Sequence, residues 1–345
     1  MSALVIQGNA RCLPLPDDSV DLIVTSPPYF ALRSYQDGGV HYAGQVGAEA
    51  TPVEFVDALI ACTAEWMRVL KPSGSLWVNL GDKYAGSANG KPHTGTAMTT
   101  SIKRAKTTTG TNQAPTTDIR AKSLIGLPWR YALRCIDDLG LILRAEVIWS
   151  KPNGLPESVT DRVRRSHEQW FHLTAEPRYF STVDEIREPY ALGTSAQYAR
   201  GYSPTSTGAG AARISSNVDY SGVLTCNPLG KLPGSVWTVP TQPLTVPAHL
   251  GVDHFAAFPM EWPRRLIKGW APADGIVVDP FGGTGTTALV ADTLGRTGIS
   301  VDLSHDYSRL ARWRTTEPAQ RASALQVEKP PVEVDGQADL WDVTG

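Results

Sequence analysis

Residues 275–302 read GIVVDPFGGTGTTALVADTLGRTGISVD. The opening Gly275 to Val278 has the short, wholly apolar look of a strand buried on both faces. Asp279-Pro280-Phe281-Gly282-Gly283-Thr284-Gly285-Thr286-Thr287 follows as a turn, then Thr286 to Leu294 as a helix and Thr297 to Val301 as a second strand ending in Asp302. Glycines after a strand let a ligand approach the backbone. The helix start beyond them favours a carboxylate or a phosphate. An acid at the end of the next strand suits ribose hydroxyls. No Lys follows the last glycine, so this is not a P-loop, and the Gly-x-Gly-x-x-Gly spacing of a dinucleotide fold is missing.

A second punctuated strand lies far upstream. Val20 to Val24 is again apolar and short, and Thr25-Ser26-Pro27-Pro28-Tyr29 follows it directly. Two prolines cannot continue a central strand. They fix an extended turn at the strand's carboxyl end, where α/β sheets place ligands. The carbonyls of Ser26 and Pro27 and the Ser26 hydroxyl cluster as acceptors, with the flat ring of Tyr29 beside them. Acceptors next to a stacking face suit the exocyclic NH2 of a base; the competing reading is a proline-rich turn with a packed Tyr.

The rest of the chain alternates in the same way. Leu4 to Ile6 and Leu76 to Leu80 read as strands, residues 52–70 as a helix opened by Pro52, residues 124–140 as a helix ending at Gly140, and Leu141 to Trp149 as a strand. Strand and helix in alternation predict a mostly parallel sheet covered on both faces. Two stretches break the pattern: residues 85–118, containing Lys103-Arg104-Ala105-Lys106, and residues 190–234, rich in Gly, Ser, Thr and Tyr. Long loops of this kind are functional or disordered.

Composition narrows the function classes. The 345 residues are 41% hydrophobic and 19% charged, enough for a packed core. Lys plus Arg is 32 against 34 for Asp plus Glu, a net charge of -2, which excludes nucleic-acid binding by bulk charge. Nucleic-acid contacts then need local basic patches. There is no apolar run long enough for a membrane span and no secretory signal, so a cytoplasmic setting is expected. Four scattered cysteines lack metal spacing and read as reduced packing residues, and no metal is expected.

Together, Ser26-Pro27-Pro28-Tyr29 and the distant Phe281-x-Gly283-x-Gly285 resemble the amino-group DNA methyltransferases, which methylate N4 of cytosine or N6 of adenine. The catalytic motif precedes the cofactor motif, an order similar to the permuted beta group, and the resemblance covers most of residues 4–314. It implies an S-adenosylmethionine-dependent methyltransferase fold: a seven-stranded, mostly parallel sheet with helices on both faces and an inserted DNA-recognition region. The implied organisation is a catalytic half at 1–152 with a flexible insertion at 85–118, a target-recognition region at 153–234, a cofactor half at 235–315 and a flexible tail at 316–345.

The resemblance also implies roles. Ser26 and the Pro27 carbonyl would accept the two amine protons, with Pro28 shaping the turn and Tyr29 stacking on a flipped base. Phe281, Gly283, Gly285 and Thr286 would hold S-adenosylmethionine, with Asp279 near its amino-acid part, Asp302 on the ribose, and Phe255 closing over the methionine end. His254 is as readily structural as functional, and Phe30 as readily core as pocket wall. The family often has Gly-Asp in the opening turn, where this chain has Gly8-Asn9; Asn can both accept and donate, so Asn9 joins the cofactor set. Ser at position 26, rather than Asp, goes more often with cytosine N4, so the expected activity is cytosine-N4 methylation of a specific duplex sequence, the alternatives being adenine-N6 methylation or a DNA-binding protein that keeps the fold without catalysis. Arg162, Arg164 and Arg165 are candidate DNA contacts. The tail residues Gln337, Leu340 and Trp341 resemble the short peptide by which bacterial proteins dock on the sliding clamp. A monomer and a homodimer are equally compatible with the sequence.

Overall fold

The computed structural model describes residues 3–31, 44–86, 118–154, 156–190, 227–252 and 257–327, together with the backbone of residues 36–37 and 40–41. Its first strands are β1 (Leu4–Gln7) and β2 (Val20–Thr25), followed by a short antiparallel hairpin of β3 (Gln36–Asp37) and β4 (Val40–His41). Helix α1 (Pro52–Val69) leads straight into β5 (Leu70–Leu80). Helix α2 (Leu127–Asp137), β6 (Ile142–Ser150), β7 (His167–Thr174) and β8 (Val236–Thr238) complete the middle of the chain. The C-terminal part runs α3 (Glu261–Trp270), β9 (Ile276–Asp279), α4 (Thr286–Thr293), β10 (Thr297–Asp302), α5 (His305–Thr316) and α6 (Pro318–Leu325).

One sheet carries the architecture, in the order β1-β10-β9-β2-β5-β7-β6-β8. All its pairings are parallel except those of β7, which runs antiparallel to both β5 and β6. The two ends of the chain meet in the middle: β2 pairs with β9 at Leu22↔Val277 and Ile23↔Val278. This pairing sets the two sequence motifs on neighbouring strand ends.

The sheet is buried on both faces, which explains why its strands are uninterrupted apolar runs. Ile23 of β2 and Leu76, Val78 and Leu80 of β5 face a core built with Phe55, Leu59 and Trp66 of α1 and Tyr131 of α2. Leu22 and Val24 of β2, with Trp77 of β5, face the opposite core of Trp262, Leu266 and Ile267 of α3 and Leu289 and Val290 of α4. Helix α1 starts where its sequence dictates. Thr51 caps it, Glu54 closes a capping box and Pro52 occupies the first turn.

Three expectations need correction. The main sheet has eight strands rather than seven. The extra strand, β8, has only 3 residues, too few for any periodicity, and is pinned through Trp237, which is buried and stacks on Trp262 at 4.9 Å. Strand β5 starts at Leu70, not Leu76, because Leu70 pairs with Val20 before a register shift, so Lys71-Pro72-Ser73-Gly74 bulges within the strand instead of separating helix from strand. The expected tail from 316 is helix as far as Leu325. Ala322 and Ala324 of α6 are buried, and Arg321 pairs with Asp292 of α4 at 2.5 Å. Small side chains gave α6 little hydrophobic signal and at the same time let it pack closely.

Candidate active site

The site is built where β2 and β9 end side by side. Thr25, the last residue of β2, donates its hydroxyl to Asp279 Oδ1 at 2.7 Å. Thr287 of α4 donates to Asp279 Oδ2 at 3.0 Å, and the Phe281 amide donates to Oδ1 at 3.1 Å. Asp279 is 2% exposed, and burial pushes its carboxyl up to about 7. Expected beside the amino-acid part of a cofactor, it is turned into the protein, where it rivets the Ser-Pro-Pro-Tyr turn to the glycine loop.

On the β2 side, Ser26 and Tyr29 converge on a residue that the sequence reading missed. The Ser26 hydroxyl donates to Asn79 Oδ1 at 3.2 Å, and the Tyr29 hydroxyl lies 3.0 Å from the same oxygen. Asn79 is 1% exposed, and its Nδ2 donates to the Gln169 carbonyl at 3.1 Å, which fixes Oδ1 as the acceptor. The Ser26 proton thus points into the protein, and the oxygen's lone pairs are left for another donor. An Asn inside an otherwise apolar strand, followed by Gly81-Asp82, was the available signal.

Tyr29 is oriented from three directions. Its hydroxyl also approaches Glu168 Oε2 at 2.8 Å, and Glu168 in turn pairs with Lys151, whose ammonium sits 4.0 Å from the centroid of the Trp149 ring. Gly81 leaves room for the phenol ring: a Cβ there would stand 2.6 Å from Tyr29 Cε2. Pro27 is buried and Pro28 half-buried. Phe30 belongs to the core, 1% exposed and packed on Phe55 at 5.5 Å. Glu168 is the second residue of β7 and had no distinguishing pattern in the sequence.

On the β9 side, the loop's glycines are sterically required. A Cβ on Gly282 would stand 1.9 Å from Ser300 Oγ. Gly283 and Gly285 adopt φ of 48° and 74°, the left-handed region. Gly285 is the N-cap of α4, so the helix begins at Thr286 with no side-chain cap on its first amides. Asp302 closes the loop from β10, accepting the Gly283 amide at 2.9 Å and the Ser304 amide at 2.8 Å. Phe281 is half-buried, with its ring edge-on to Trp66 at 5.9 Å. Gly8 donates to the Asp302 carbonyl at 2.9 Å, which brings Asn9 to the same rim; Asn9 is exposed, and its Oδ1 accepts the Arg11 amide at 2.9 Å.

The arginines expected to meet DNA lie just before β7, two of them beside the segment that follows β5. Arg162 stacks on Tyr84 at 3.8 Å and pairs with Glu157 at 2.7 Å. Arg165 donates to the Asp82 carbonyl, just beyond β5. Arg164 is exposed, with one guanidinium nitrogen 3.4 Å from the Gly154 carbonyl. His254, Phe255, the basic loop at 103–106, residues 191–226 and the tail residues Gln337, Leu340 and Trp341 lie outside the described residues. Among the described residues, no cluster of metal-binding side chains occurs and no helix is long and apolar enough to cross a membrane.

Known proteins resemble this chain in sequence and in fold. The type II methyltransferase M.SmaI of Serratia marcescens is 32% identical over 316 residues, covering 91% of this chain and 90% of its own. M.XycI of Xanthomonas campestris pv. cyanopsidis is 34% identical over 302 residues, covering 86% and 81%. Among solved structures, the PvuII DNA methyltransferase (cytosine-N4-specific) shares the fold with a TM-score of 0.58 at 19% identity, covering 95% of this chain and 94% of its own. A putative DNA modification methylase of Thermus thermophilus, solved with S-adenosyl-L-methionine, shares it with a TM-score of 0.52 at 20% identity, covering 95% and 96%. A family model described as DNA methylase, of the N6/N4 methyltransferase type, matches residues 20–312. With that match spanning both strand-end motifs, the chain belongs to the N6/N4 DNA methylase family.

Proposed function

We propose that this DNA methylase transfers a methyl group from S-adenosylmethionine to the exocyclic N4 of cytosine within a specific duplex sequence. The observation that carries the reading is the Ser26–Asn79 hydrogen bond, which aims a neutral hydroxyl oxygen outward beside the Tyr29 ring. It is supported by the fold shared with a methyltransferase described as cytosine-N4-specific. The glycine loop fits the cofactor: Gly282 has no space for a Cβ, Gly283 and Gly285 supply positive φ, and α4 offers uncapped amides.

An aromatic amine is a poor nucleophile because its lone pair is delocalised into the ring. Ser26 Oγ and the Pro27 carbonyl would accept hydrogen bonds from its two N–H groups and draw the nitrogen toward tetrahedral geometry. Tyr29 would stack on the base after it leaves the duplex, a step costing a few kcal/mol. Its ring is held by Asn79 and Glu168 before any base arrives, so part of the ordering is already done. S-adenosylmethionine, when bound, supplies an electrophilic sulfonium methyl. Phe281, Thr286 and Asp302 line its side, with Asn9 at the rim and Phe255 assigned to the methionine end.

The division into a catalytic half at 1–152, a recognition region at 153–234 and a cofactor half at 235–315 belongs to the same reading, with Arg162, Arg164 and Arg165 as DNA contacts. Gln337, Leu340 and Trp341 would dock on a bacterial sliding clamp; a peptide of residues 328–345 that binds no clamp would remove this part. A cytoplasmic site of action follows from a chromosomal or phage DNA substrate. Methyl transfer from labelled cofactor to DNA, followed by nucleoside mass spectrometry, tests the main reading. N4-methylcytosine supports it; N6-methyladenine overturns the base assignment. Cofactor binding without any methylated nucleoside overturns the DNA substrate and favours a different amine acceptor.

A further inference from the structure

Arg314, in the last turn of α5, is 3% exposed. One of its guanidinium nitrogens donates to Thr284 Oγ1 at 2.5 Å and Thr286 Oγ1 at 2.6 Å, and its Nε donates to Gln320 Oε1 at 3.3 Å. Every one of these acceptors is neutral. Among the described residues Arg314 has no carboxylate partner, although the arginines around it do: Arg309 pairs with Asp306 and Arg321 with Asp292. A buried cation without a counter-ion is costly, and removing it from water is not repaid by hydroxyls alone. The two shorter of its three hydrogen bonds fall at one place, the threonines that flank Gly285 at the start of α4.

We propose that Arg314 is a positioning residue for the cofactor, clamping Thr284 and Thr286 from behind the glycine loop and adding the positive charge that attracts a carboxylate to the start of α4. The inference rests on S-adenosylmethionine binding at this loop. The cofactor's carboxylate is the anion that the protein itself leaves out. The first amides of α4 provide hydrogen bonds and the helix dipole provides partial charge, but both are short-ranged and weak in water. A full charge held in low dielectric acts over a longer distance and is little screened by salt. Gly285 lets α5 come close enough to deliver it, since a Cβ there would stand 3.0 Å from Ala311 Cβ.

The test is calorimetric binding to the full-length protein of S-adenosylmethionine and of its decarboxylated analogue, which lacks only the carboxylate. Wild type is expected to prefer the intact cofactor by about tenfold or more. Arg314→Met and Arg314→Gln should lose about tenfold in affinity for the intact cofactor and less than about twofold for the analogue. Arg314→Lys, which keeps the charge, should retain the preference. Equal weakening of both ligands would reduce Arg314 to a structural clamp and overturn the proposal, as would unchanged affinity for both. A wild-type protein that binds the two ligands alike overturns it without any variant. A wild type that binds neither overturns the cofactor reading as well, so the two failures are told apart.

Discussion

Asn79 shows how a single buried amide organises the catalytic turn. Its Oδ1 accepts the Ser26 hydroxyl and lies 3.0 Å from the Tyr29 hydroxyl, and its Nδ2 is locked by the Gln169 carbonyl. Asn79→Ala should therefore lower kcat by about tenfold to a hundredfold while changing KM for DNA less than about threefold, read from steady-state methyl transfer. On the proposed reading Ser26→Ala removes the hydroxyl that would accept from the substrate amine, and its kcat loss should be larger, about 10²–10³-fold. Asp279 makes a prediction of a different kind. Its carboxyl lies at about 7 in the folded protein against 3.8 for an ordinary Asp. Between those values the folded state keeps a proton that the unfolded chain has released, so this group's contribution to stability falls as pH rises through that window. Asp279→Asn stays neutral throughout. The difference in melting temperature between variant and wild type should grow in the variant's favour from about pH 4 to pH 7 and level off above; parallel curves would contradict the assignment.

The elements that define the fold were legible where their pattern was long or their punctuation sharp. Helix α1, with its capping box and Pro52, and the strand–loop–helix–strand run from β9 to β10 lie within a residue or two of where the sequence puts them. What escaped has a physical reason in each case. Strand β8 owes its place to one tryptophan, α6 packs through alanines, and the first part of β5 is a bulge beside Pro72 that mimics a turn. The site was half legible. Both motifs were read from prolines and glycines, whose backbone demands are local. Asn79, Glu168 and Arg314 act through partners that are remote in sequence, and only folding brings them there. The glycine loop offers a test at this scale. Gly282→Ala places a Cβ on Ser300 Oγ, so it should cost about 1–3 kcal/mol by chemical denaturation and abolish cofactor binding. The paired variant Gly282→Ala with Ser300→Ala should recover part of the stability.

At the scale of the whole molecule, a DNA methylase of net charge -2 must gather its DNA contacts in one place. The proposed contacts are close in sequence and lie just before β7: Arg162 stacks on Tyr84, Arg165 donates to the Asp82 carbonyl beyond β5, and Arg164 is exposed beside the Gly154 carbonyl. DNA affinity should fall with salt, and Arg164→Ala should reduce the slope of log K against log salt by about one, measured by fluorescence anisotropy. The chain order, with the Ser-Pro-Pro-Tyr strand β2 early and the glycine-loop strand β9 late, is reconciled by their direct pairing in the centre of the sheet. That pairing puts the Ser-Pro-Pro-Tyr turn and the glycine loop at adjacent strand ends, with Asp279 bonded to both sides. The most direct test of this account is nucleoside mass spectrometry of DNA methylated by the purified protein, with Ser26→Ala alongside. Wild type should yield N4-methylcytosine, and the variant should lose about 10²–10³-fold in rate. N6-methyladenine, or a Ser26→Ala enzyme as fast as wild type, would contradict it.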